Sequence, residues 1–218
     1  MYLPRHFTVT DLGYVAGFVD AAQSADLVTF DGLRPVSTLM PVIWDRPQTF
    51  GGEAGWGRLL GHLAIANDQW RSAVPGAEAL AIIRGPEAYV SPGWYESKAR
   101  HGRVVPTWNY EAVHLTGTIA FHHDPGWLRE LVTRLTQRHE AGREHPWAVT
   151  DAPPEYIDGQ LRAIMGVELT VTAVEAKQKL SQNRSEPDRE GVIVGLAGEP
   201  GGDAAAIAAA MRAQLAAG

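Results

Sequence analysis

The most restrictive pattern in the chain runs from Asn109 to His123. Val113, Leu115, Ile119 and Phe121 alternate there with His114, Thr116, Thr118 and His122. Period-two alternation places one set of side chains on each face of a strand, one facing a core and the other polar. That is the habit of antiparallel sheets, which can leave one face wet.

The other elements are read around this strand. Leu27 to Phe30 and Pro35 to Trp44 form a hairpin, with Asp31-Gly32 supplying the positive φ of a tight primed turn. Leu59 to Ala64, Ala79 to Ile83 and the alternating Val167, Leu169, Val171 and Ala173 add further strands, and the glycine-rich Pro47 to Gly57 is an exposed loop. Helices are expected over Asp11 to Ala22 behind a Thr10 cap, as a turn at Asn67 to Ala73, from Asp124-Pro125 to near Gly142, and over Glu155 to Ile164. Gly195 to Gly202 reads as a linker, followed by an Ala-rich helix, Asp203 to Ala217, capped by Asp203 and striped by Ile207, Met211 and Leu215. Short strands interspersed with a few helices disfavour a doubly wound sheet. The expected fold is mainly β with peripheral helices (α+β), an antiparallel barrel or sheet.

Composition narrows the chemistry. The 218 residues contain no cysteine, which excludes thiolate catalysis, Cys-ligated zinc and disulfides, and suits a reducing, cytoplasmic setting. Lys and Arg number 19 against 25 Asp and Glu, a net charge of −6, so contact with nucleic acid would need a local basic patch. No apolar run approaches the ~20 residues of a bilayer span, and Met1 to Phe7 has no signal-peptide core. There is no P-loop and no nucleophile elbow, and the histidine spacings do not suit a metal.

Two segments carry binding chemistry. Gly85 to Tyr110 holds five of the eighteen aromatics (Tyr89, Trp94, Tyr95, Trp108, Tyr110) among prolines and the cations Lys98, Arg100 and Arg103. Aromatic faces stack on planar rings and cations hold anions, although such a segment equally suits a subunit interface. Lys177 to Arg184 has three cations and no acid. In extended conformation Lys177, Lys179 and Ser181 share one side, an arrangement suited to a compact anion such as phosphate or simply to a solvated strand end.

The runs Met1-Tyr2-x-Pro4-x-x-Phe7, Gly61-His62-x-Ala64-x-Ala66-Asn67, Gly85-Pro86-x-Ala88-Tyr89-x-Ser91-Pro92-x-Trp94-Tyr95-x-Ser97-Lys98, Val105-Pro106-Thr107-Trp108-Asn109-Tyr110-x-x-Val113-His114 and Lys179-Leu180-Ser181-Gln182-Asn183-Arg184 resemble the PaiB family, whose members are labelled FMN-binding negative transcriptional regulators. The resemblance covers about residues 1 to 196. It implies a split β-barrel of the FMN-binding type over 1–196, with 197–218 as linker and Ala-rich helix. It also implies a homodimer with cofactor sites at the interface, and FMN held by His62, Asn67, Trp94, Lys98, Trp108, Asn109, Tyr110, Lys177, Lys179, Ser181, Gln182 and Asn183. Within that set Lys177, Lys179 and Ser181 are expected at the phosphate, and Trp94, Trp108 and Tyr110 near the ring. Leu39, Ile65 and Gly93 depart from the family pattern, each by losing a polar group. No catalytic acid, base or nucleophile stands out, so any chemistry would belong to the cofactor, as in a flavin-dependent oxidoreductase. Haem, ligated by His62 or His114, is the alternative cofactor. Direct DNA binding is disfavoured by the charge and by a C-terminal helix whose one cation is Arg212.

Overall fold

A computed structural model describes residues 1–74 and 76–216. Six strands close into a barrel in the order β1-β2-β3-β6-β5-β4: β1 (Ser24–Phe30), β2 (Pro35–Asp45), β3 (Arg58–Ala64), β4 (Glu78–Val90), β5 (Thr107–His122) and β6 (Ile164–Lys179). The pairings of β1 with β2 and β4, of β2 with β3 and of β3 with β6 are antiparallel. The helices are α1 (Leu12–Ala21), α2 (Gln69–Ser72), α3 (Ser97–His101), α4 (Pro125–Glu140), α5 (Pro154–Leu161), α6 (Glu186–Gly198) and α7 (Gly202–Ala216).

The chain divides into two compact units, neither continuous in sequence. Unit 1 comprises Met1–Val15, Arg84–Val113 and Glu175–Gly218, and unit 2 comprises Ala16–Ile83 and His114–Val174.

The alternating strand β5 is divided between the units, its residues up to Val113 belonging to unit 1 and those from His114 on to unit 2. Val113, Leu115 and Ile119 of β5 are buried as the pattern requires, whereas Thr118 is exposed. Leu27, Leu59, Ile83, Leu115 and Leu169 are fully buried in this part of the barrel. Gly117 is needed where β5 meets β6, because a Cβ there would lie 2.1 Å from the Thr170 carbonyl oxygen. Helix α4 starts as Asp124-Pro125 predicts: the Asp124 carboxylate accepts the Trp127 N–H at 2.8 Å, and Leu128, Leu131 and Leu135 are buried. Trp127 stacks on His122 and covers Gly166, where a Cβ would meet the indole at 2.2 Å.

Unit 1 has its own core, made by Ala88, Val90, Tyr95, Leu180, Val192, Ile193, Leu196, Ile207, Ala208 and Met211. Helices α6 and α7 supply most of it. Trp94 is seated against α6 at Gly191 and Gly195, one helical turn apart, where a Cβ would fall 2.1 Å from the Trp94 carbonyl oxygen and 2.2 Å from its indole, respectively.

Several local expectations are corrected. The cap of α1 is Asp11, whose Oδ1 accepts the Gly13 and Tyr14 N–H groups, rather than Thr10. The hairpin turn spans four residues instead of two, since Asp31 N–H bonds to Arg34 O and the Asp31 carboxylate accepts from Leu33 and Arg34. Ile164 opens β6 and does not end α5. Gly195 and Gly198 lie inside α6, so the connection to α7 is only 199–201, and Asp203 falls in the first turn of α7 instead of ahead of it. Ala217, the expected end of that helix, lies outside the described residues.

Candidate functional site

The alternation of β6 puts Lys177 and Lys179 on one side of the strand end, and unit 1 closes around them. Lys177 is buried, at 6% exposure. Its Nζ donates to the Tyr2 carbonyl oxygen at 2.9 Å and lies 5.5 and 5.1 Å from the ring centroids of Tyr2 and Tyr110. Lys179 Nζ donates to Thr107 Oγ1 at 2.7 Å and to the Trp108 carbonyl oxygen, 5.8 Å from the Phe7 ring. The N-terminal run is held against this edge by the Thr8 to Lys177 bridge and a bond from Val9 N–H to Ala176 O. Neither ammonium has a carboxylate partner among the described residues. Burial, with the charges of Lys177 and Arg184, holds the Lys179 pKa below its ordinary value.

An acid does lie in this unit, already engaged. The buried Glu111 accepts from Tyr14 Oη and Gln178 Nε2, both at 2.6 Å. Burial and that carboxylate push the Tyr14 pKa well above the ordinary phenol range. The period-two reading pointed to the lysines but gave no signal for Glu111, whose place among nonpolar neighbours on β5 looks like ordinary strand sequence.

The remaining expected site residues disperse. Ser181 does not share the lysines' face: it lies beyond the strand end at φ 62, buried, with its hydroxyl exchanging bonds with the fully buried Asn109 amide at 3.0 and 3.2 Å. Gln182 closes the turn after β6, accepting from Leu180 N–H and donating to Gln178 O at 2.7 Å each. Asn183 and Lys98 are exposed, the latter on α3. Tyr110 stays with Lys177. His62 and Asn67 belong to unit 2. Asn67 donates to Thr38 Oγ1 and accepts the Gln69 N–H at the start of α2, and burial lowers the pKa of His62, whose buried Nδ1 has no hydrogen-bond partner.

Trp94 and Trp108 wall a cavity of about 650 Å³ in unit 1, together with Tyr89, which meets Trp108 edge-on at 6.3 Å. Glu87, Glu199 and Asp203 also line it. The sequence reading missed these three; the available signal was a pair of acids flanking the glycine break at 201–202. Trp108 thus serves two places, its carbonyl bound by Lys179 and its ring facing the cavity.

Residues 1–173 match the family described as "Putative FMN-binding domain". The chain is also 31% identical over 215 residues to the protease synthase and sporulation protein PAI 2 of Bacillus subtilis, covering 99% of this chain and 98% of that one. This chain is a member of the PaiB family. Among solved structures, it resembles an FAD and haem binding protein from Mycobacterium smegmatis (TM-score 0.54, 16% identity, 79% of this chain and 73% of that one). It also resembles the flavocytochrome Anf3 of Azotobacter vinelandii (TM-score 0.55, 14% identity, 85% and 74%). The PaiB-family fold here is accordingly that of the split-barrel flavin and haem proteins.

The donor set at Lys177 and Lys179 fits the phosphate of a flavin mononucleotide. An ammonium carries three donors. One Lys177 donor and two Lys179 donors are used internally, so both retain capacity for a phosphate oxygen. Lys177, buried with no carboxylate partner and with a second ammonium near it, is costly until an anion joins the pair. Lys179, half-buried, is the more accessible of the two.

Proposed function

We propose that this protein binds FMN, with the phosphate on Lys179 and Lys177 and the ring against Trp108 and Tyr110. The observation that carries the reading is the pair of unpaired, crowded ammonium groups in a chain of the PaiB family. Bound FMN would supply electron-transfer chemistry. The chain's own part is to hold the phosphate through the two lysines, to offer aromatic faces to the ring, and to keep Lys179 in place through Thr107 and the Trp108 carbonyl. Titration of the purified protein with FMN, followed by flavin absorbance and calorimetry, tests it. Saturable binding weakened at least tenfold in Lys179→Gln is expected. Absence of FMN uptake, or unchanged affinity in that variant, would refute it.

The family label extends the proposal to a flavin-responsive regulator acting without direct DNA contact. A net charge of −6 opposes such contact, and a salt-sensitive mobility shift on specific DNA would overturn this part. A homodimer is proposed through the exposed Tyr89, Val105 and Trp108, at 49, 64 and 47% exposure, with sedimentation at several concentrations as the test. One observation favours a second cofactor: His62 has a buried, unpartnered ring nitrogen, and burial favours the neutral imidazole that ligates iron. Hemin titration, with a Soret shift that His62→Ala abolishes, decides that alternative.

A further inference from the structure

The cavity walled by Tyr89, Trp94 and Trp108 has the opposite electrostatic character to the lysine cluster. Its lining contains no Lys, Arg or His. Besides the three aromatics it presents Ala88, Leu196, Pro200 and Ala204 as an apolar surface. The side chains of Glu87, Glu199 and Asp203 form no ion pair or hydrogen bond among the described residues. Trp94 is fixed in the wall by the glycines of α6, so the indole is preformed for a ligand.

These features select one class of ligand. Indole and phenol faces attract cations through their ring quadrupole within about 6 Å, and a nearby carboxylate adds charge attraction. An anion would meet three carboxylates and no cation. A bare metal ion gains little from aromatic walls, and among the described residues no group of three or more His, Asp or Glu is placed to hold one. The volume falls within the roughly 300–1,000 Å³ of small-molecule sites. We infer that this cavity binds an organic cation: an ammonium facing Glu199 and Asp203, on an apolar or aromatic body lying against Trp94 and Trp108. The inference differs from the flavin reading in its charged groups, carboxylates in place of lysines, and shares with it the Trp108 side chain.

The test uses three small probes of similar shape and different charge, benzylamine, benzyl alcohol and benzoate, followed by calorimetry and tryptophan fluorescence on the full chain. Benzylamine is expected to bind saturably, at least tenfold more tightly than benzyl alcohol, with no binding of benzoate. The double variant Glu199→Gln/Asp203→Asn should weaken benzylamine at least tenfold and leave benzyl alcohol unchanged, with the unfolding midpoint lowered by no more than about 4 °C, since both side chains are exposed and Asp203 contributes only its first-turn charge to α7. Equal affinity for benzyl alcohol, preference for benzoate, or no saturable benzylamine binding overturns the inference, and so does a double variant that binds benzylamine normally. FMN titration of the same samples separates the two readings: benzylamine binding without FMN uptake sinks only the flavin proposal, and the reverse sinks only this one.

Discussion

Replacing Gly195 by alanine tests whether α6 is shaped around Trp94. A Cβ at this position would stand 2.2 Å from one indole carbon and 2.5 Å from two others, so the ring must recede by more than 1 Å from a packed core. Overpacking of this kind costs about 1–3 kcal/mol. Alanine recovers about 1 kcal/mol over glycine in a helix interior, so the expected net loss is about 0–2 kcal/mol. Gly17, inside α1, supplies the control: a Cβ there meets nothing within 4 Å, and Gly17→Ala should gain up to about 1 kcal/mol. Urea denaturation followed by circular dichroism measures both, with the two variants expected to differ by about 1–3 kcal/mol. In a Trp94→Ala background the Gly195→Ala loss should vanish, and the double-mutant cycle gives the coupling directly. A Gly195→Ala protein that gains as much stability as Gly17→Ala, or a cycle without coupling, would refute the reasoning.

Three further outcomes follow from buried polar groups. Asn109→Ala leaves the Ser181 hydroxyl without its partner and should cost about 1–3 kcal/mol in urea titrations, with a smaller added loss when Ser181→Ala is combined with it. His62 has a folded pKa below its ordinary 6.5, so the unfolded chain takes up the proton first. Stability should therefore be complete above about pH 6.5 and decline as the pH falls from there through the lower folded value, and His62→Gln should flatten that decline. For Lys179, whose pKa is also lowered, a bound phosphate favours the ammonium form. FMN affinity should then fall as the pH rises through the lowered value, a dependence that calorimetry should find reduced in Lys179→Gln.

What could be read in advance was set by local rules. The alternation in β5, the Asp124-Pro125 start of α4 and the pairing of β1 with β2 each follow from residues near one another in sequence, and each is present. Gly195, taken as the start of a linker, misled because its purpose is remote: with Gly191 it admits Trp94, about a hundred residues earlier, and without that partner it looks like the start of a flexible connection. The shared side of Lys177 and Lys179 was legible from their spacing, but the aromatic and carbonyl groups around them arrive from Tyr2, Phe7 and Trp108, which no spacing within 177–184 could show. Ser181 escaped the strand parity because the backbone turns left-handed there, a change of direction rarely taken by a residue other than glycine.

The interleaved make-up of unit 1 bears on how such a chain can be cut. The family match ends at residue 173, yet both lysines and most of the Val192, Leu196, Ile207 and Met211 core come after it. A fragment stopped at that boundary would carry two thirds of unit 1's segments without the one that fills its interior. No single cut of the chain removes this unit whole, because its residues 1–15, 84–113 and 175–218 are separated by the segments of unit 2.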